Sequence, residues 1–122
     1  MALALIKPRE IKRIIKLYED VICLFHTNSS TTNLNLIITK RIEEIIANAY
    51  QLTDSLIKLV KVDLTDLTPN EELAILKLAG VDENDCPTVC YFKNGQIVGK
   101  HTKTFTNHLL QAWIKQFFYS EV

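Results

Sequence analysis

Glycine, proline and cysteine are scarce in this chain of 122 residues, with three of each. No low-complexity tract, repeat or linker divides it, and one domain spanning residues 1–122 is expected. A chain of this length can bury roughly 68% of its unfolded surface without crosslinks, and an odd cysteine count fits reduced thiols in an intracellular, cytoplasmic setting. An excess of one charge is missing too. Fourteen basic residues balance 14 acidic ones, so the chain has no strongly cationic character, and nucleic acid is not expected as a partner. No apolar run approaches the ~18 residues of a membrane span. The opening Met1 to Ile6 is too short for a signal-peptide core and soon meets Pro8, so no membrane partner is expected either. Asn28-Ser29-Ser30 matches a glycosylation pattern that acts only in a secretory compartment.

What the chain does contain is 48% hydrophobic residues, enough for a core, arranged in alternating strand and helix patterns. Ala2 to Ile6 reads as a short strand. Pro8 suits a first helical turn, where its missing N–H costs nothing, and Ile11, Ile14, Ile15 and Tyr18 then follow helical spacing on one face. Arg9, Lys12, Arg13 and Lys16 line another face, with Lys7 nearby. Val21 to Phe25, V-I-C-L-F, is apolar throughout and reads as a central strand covered on both sides. The polar stretch His26 to Asn33 offers helix caps, and Ile38, Ile42, Ile45, Ile46 and Ala49 mark the buried face of a second helix. Leu56 to Asp63 is another strand. Thr68-Pro69-Asn70-Glu71 combines an N-cap, a first-turn proline and a capping-box glutamate, and Gly80 can end the helix that follows. Thr88 to Phe92 and Gln96 to His101 form a hairpin around Asn94-Gly95. Leu110, Trp113, Ile114 and Phe117 define a last helix that Thr106 can cap.

The expected class is therefore α/β, with a parallel βαβ part followed by an antiparallel ββα part. In that order, P-T-V-C-Y-F-K-N-G at Pro87 to Gly95, V-I-C-L-F at Val21 to Phe25 and K-L-V-K-V-D at Lys58 to Asp63 resemble landmarks of the thioredoxin family. The likeness covers about the last 100 residues. It implies a thioredoxin-like fold: a central mixed β-sheet of about five strands flanked by about four helices. It also implies a cis peptide before Pro87, beside the start of the second helix where the family carries a Cys-x-x-Cys pair. Here those positions read Ser30-Thr31-Thr32-Asn33. Leu24 stands where the family has a buried carboxylate, and His26 where it has a tryptophan. The spans from Ser30 to Asp63 and from Val81 to Pro87 are longer than the family's spacing.

Dithiol exchange needs a thiolate to attack and a second thiol to resolve the mixed disulfide, so the chain is not expected to be a dithiol oxidoreductase. Cys23 and Cys90 read as small core hydrophobes on strands that can neighbour one another, with a cross-strand disulfide left open. Cys86 precedes Pro87 and is the thiol placed for function, as a monothiol redox protein or sensor. Asp82, Glu83 and Asp85 nearby favour its protonated form, and His26 can counter them. A Cys86/His26 pair supplies too few ligands for a metal, and neither a metal nor a cofactor is expected. The preferred expectation is a non-catalytic protein-binding, chaperone or assembly module that holds a protein or peptide. Its groove would comprise His26, Ser30, Thr31, Thr32, Asn33, Cys86, Pro87 and Thr88. The basic face of the first helix can alternatively meet phosphates or stay solvated. Phe118 or Tyr119 can support a homodimer, while His101 and His108 form no constellation.

Overall fold

The computed structural model describes residues 3–27, 40–44, 57–81 and 87–102. In chain order the elements are β1 (Ala4–Ile6), a 3-10 turn (Pro8–Glu10), α1 (Ile11–Leu17), β2 (Asp20–His26), the helical stretch α2 at 40–44, β3 (Ile57–Asp63), α3 (Pro69–Ala79), β4 (Thr88–Lys93) and β5 (Gln96–Thr102). The expected C-terminal helix lies outside the described residues.

The strands form one mixed sheet in the order β1-β3-β2-β4-β5. β1, β3 and β2 run parallel, whereas β4 is antiparallel to β2 and to β5. The apolar run at Val21–Phe25 takes the middle of this sheet, and every one of its residues is buried. Alternation sends Val21, Cys23 and Phe25 to the face covered by α1 and α3, where Ile11, Ile15, Ile75 and Phe92 complete the main core. Ile22, Leu24 and His26 belong to the other face.

Local sequence chemistry sets the boundaries. The Thr68 hydroxyl accepts from the Glu71 amide at 3.2 Å while the Glu71 carboxylate accepts from the Thr68 amide at 3.0 Å, closing the capping box that opens α3. Gly80 ends that helix at φ 68°, a left-handed conformation that costs glycine nothing. Asn94 and Gly95 both take positive φ in the two-residue hairpin turn. Its position is held by the Asn94 amide, which donates to the Glu19 carbonyl at 2.8 Å. A bulge between Tyr91 and Phe92 then shifts the β4–β5 register.

Two details differ from the sequence-based expectation. Tyr18 is not a buried helical residue: α1 stops at Leu17, Tyr18 turns extended, and it is 41% exposed with Lys58 Nζ 5.3 Å from its ring centroid. β2 runs one residue further than V-I-C-L-F at each end, so His26 is a strand residue. The Leu64 amide donates to the His26 carbonyl at 2.7 Å and prolongs the pairing with the chain after β3. Among the described residues, no helix is long and apolar enough to cross a membrane.

Candidate functional site

Because β1, β2 and β3 are parallel, their carboxyl ends share one edge of the sheet, the edge where open α/β sheets commonly bind ligands. β4 begins at that edge. The β2–β4 pairing ends there with Phe25 opposite Thr88, so His26 and Pro87 each lie one residue beyond the last register pair. Two of the expected groove residues, far apart in sequence, therefore adjoin the same end of the β2–β4 pairing.

Thr88 is placed differently from the groove expectation. It shares the face of its partner Phe25, is fully buried, and its strand is already paired on both sides, to β2 and to β5. Its side chain therefore belongs to the core face, opposite His26. Pro87 is half-buried at the start of the strand. Ser30, Thr31, Thr32, Asn33 and Cys86 lie outside the described residues.

His26 is the chemically loaded member of this edge. It is only 8% exposed, and its Nε2 is buried without a hydrogen-bond partner among the described residues. A buried polar atom left unsatisfied costs about 1–3 kcal/mol, so such atoms are rare unless something else uses them. Burial holds the imidazole pKa below its ordinary value, and the Lys61 ammonium acts the same way, against the opposing pull of Asp63 and Glu43. The ring is accordingly neutral near neutral pH, able to accept or donate one hydrogen bond according to its tautomer.

These three charged groups come from neighbouring elements. Asp63 is the register partner of His26 on β3, and its carboxylate accepts from the Thr65 amide at 2.8 Å in the turn that follows. Lys61, two residues earlier on the same face, donates to Glu43 of α2 at 2.9 Å, with both side chains mostly buried. This ion pair was missed in the sequence, although one signal was present. Ile57 and Leu59 lead an alternating apolar face on which Lys61 is the first exception, and a lysine there requires a partner.

The two described thiols are not at this edge. Cys23 and Cys90 are register partners on β2 and β4, fully buried in the main core and not joined by a disulfide, in keeping with their reading as core residues. No cluster of three or more His, Cys, Asp or Glu side chains able to hold a metal occurs among the described residues. Nor does the sequence contain a Cys-x-x-Cys pair anywhere. The edge can form hydrogen bonds and ion pairs, but its described side chains carry no thiol chemistry.

No protein-family model matches the sequence, and no curated protein matches it at a significant level. Solved structures do resemble it. The thioredoxin-like domain of Arabidopsis NCP (Nuclear Control of PEP Activity) superposes with a TM-score of 0.73 at 16% identity, over 98% of this chain and 78% of that one. Oxidised thioredoxin from Plasmodium falciparum gives 0.66 at 18% identity, over 96% and 99%. Human ERp44 in its zinc-bound form gives 0.66 at 14% identity over 93% of this chain, which spans only 30% of that longer protein. Identities this low carry architecture alone, and the architecture is unambiguous: the chain has a thioredoxin fold, a mixed five-stranded sheet flanked by helices.

Proposed function

We propose that this chain is a single redox-inactive thioredoxin-like domain that binds protein or peptide segments at the sheet edge that carries His26 and Pro87, in a chaperone or assembly role. The observation that supports the reading is the buried His26 Nε2, without a hydrogen-bond partner among the described residues, at the end of the sheet where the β2–β4 pairing stops one residue short of His26 and Pro87. Capture of an extended peptide uses main-chain hydrogen bonds, with side-chain pockets adding specificity, so it survives the loss of a cysteine pair. Catalysis of thiol exchange does not. Thr88 has no strand edge to spare, which leaves main-chain pairing to the segment ahead of it, at Cys86 and Pro87. Ser30, Thr31 and Thr32 would furnish the opposite wall with hydroxyl groups and Asn33 with an amide, and His26 Nε2 would take one hydrogen bond from the guest. A reducing compartment such as the cytoplasm suits the cysteines.

Binding to an array of extended peptides tests this. Ser30→Trp and Pro87→Ala should each weaken capture by about tenfold or more without unfolding the protein. Wild-type binding by both variants would remove the edge from consideration. An insulin-reduction assay with dithiothreitol separates the redox alternative. No acceleration is expected, whereas turnover lost in Cys86→Ser would make the protein a monothiol enzyme.

A further inference from the structure

A helix lying on the surface of a globular domain normally turns polar residues outward. α3 does not keep to this. Leu73 and Leu76 are 50% and 47% exposed, and Ala74 beside them is exposed as well. Next to this apolar ridge, between α3 and the chain from Pro8 to Lys12, lies a cavity of about 620 Å³ that opens to solvent. Ile11, Ile75 and Leu78 line it together with Leu73 and Ala74. It is on the α1–α3 side of the sheet, the face opposite His26.

The charges around it are one-sided. Arg9 and Lys12 stand on one wall and Lys77 on the other, with Glu71 as the one carboxylate among the lining residues. Glu71 is already engaged, since it accepts from the Thr68 amide in the helix cap. Glu10, the acidic neighbour of Arg9, pairs with Arg13 at 3.4 Å. Arg9, Lys12 and Lys77 take no part in the ion pairs formed among the described residues.

We propose that this groove seats an acidic amphipathic helix of a partner protein. From Asn70 to Leu78, α3 runs about 12 Å, which matches roughly two turns of a guest helix. Apolar residues spaced i, i+3, i+4 on the guest would enter between Ile11 and Leu73, and Leu76 extends the contact along the ridge. Carboxylates on the flanks of that stripe would meet Arg9, Lys12 and Lys77, which sets orientation and disfavours basic helices. An open groove edged by exposed leucines fits a macromolecular guest better than a small ligand, which needs most of its surface enclosed.

The test is a display selection of random peptides about 14 residues long, near the length at which isolated helices become marginal, against the full chain. Enriched peptides should be net acidic with apolar residues at helical spacing. Their affinity should fall by about tenfold or more for Lys12→Glu/Lys77→Glu and for Leu73→Asp. Lys16→Glu, on α1 but away from the cavity, should change it by less than about twofold. Circular dichroism confirms that the variants fold, which their exposure favours. Failure to enrich any peptide, enrichment of basic or non-periodic peptides, or binding unchanged in the groove variants would each overturn the proposal. So would a wild-type dimer that Leu73→Asp dissociates, because the occupant would then be a second copy of this chain.

Discussion

At its amino end β2 carries Asp20, and at its carboxyl end, on the same face, it carries His26. Asp20 is fully employed: its carboxylate accepts from the Tyr91 hydroxyl and lies 3.5 Å from Lys93 Nζ. Burial and the neighbouring Asp20 carboxylate push the Tyr91 pKa up, so the phenol stays protonated and keeps donating. His26 is buried too, yet Nε2 has no hydrogen-bond partner among the described residues. One strand thus ends in a closed polar contact on one side and an open one on the other. The closed end is what a structural role requires, since each buried polar group there is matched. The open end keeps a cost that packing alone would have removed, and the proposed guest would recover it by supplying the missing partner.

Substitutions should expose that asymmetry, and the largest effect comes from what both ends share. Phe25 is fully buried in the main core between β2 and the helices, and Phe25→Ala should lower stability by about 3–5 kcal/mol in urea denaturation. A loss under about 1 kcal/mol would mean that the core is not organised around β2. Asp20→Ala should cost about 1–3 kcal/mol, because the Tyr91 hydroxyl loses its acceptor. Most of this belongs to Tyr91, since the Lys93 side chain is half exposed and a solvated ion pair contributes little.

How far the sequence foretold these two ends follows from which signals are local. α3 was readable because Thr68, Glu71 and Gly80 act on their own backbone within a few residues. Asn94-Gly95 was readable for the same reason, and the unbroken V-I-C-L-F run identified the central strand. Tyr18 misled because the i, i+7 spacing continues through it, while nothing in Leu17-Tyr18-Glu19 resembles a glycine stop. Lys61 and Glu43, 18 residues apart, each look like ordinary solvated charges until the fold sets β3 against α2. His26 stood at the head of a polar stretch and read as a loop residue. Its place in the strand involves partners far along the chain: Asp63 is its register partner, and the Leu64 amide, 38 positions away by the numbering, donates to its carbonyl. Pro87 and Thr88 were therefore legible as a local motif and His26 as a candidate residue, whereas the grouping of His26 with Asp63, Lys61 and Glu43 was not, because it exists only in three dimensions.

The opposite sign is expected at the open end. His26→Leu removes the unsatisfied nitrogen from a face that already holds Leu24, so stability should be unchanged or rise by up to about 1 kcal/mol. Peptide capture should weaken in the same variant, as happens where a binding site is held at some cost to the fold. A destabilisation above about 2 kcal/mol would show that His26 serves packing, and the two ends of β2 would then be alike.

The smallest effect is a slope with pH. Burial first, and Lys61 second, favour neutral His26 in the folded protein, whereas the unfolded chain protonates it with a pKa near 6.5. Below that value the unfolded state binds the proton more readily, so stability rises with pH through this window. The contribution is complete above about pH 6.5, declines as pH falls toward the lowered folded value, and is flat beneath it. A single group cannot make the slope steeper than about 1.4 kcal/mol per pH unit, and Asp63 and Glu43 pull against the shift and shorten the window. Denaturation of the wild type and His26→Leu in parallel at pH 7 and pH 5 isolates the term, because carboxylate titrations elsewhere affect both proteins. The gap between them should move in favour of the variant at pH 5. Parallel curves would mean that the imidazole keeps its ordinary affinity for protons, and the open end of β2 would be wetter than its geometry implies.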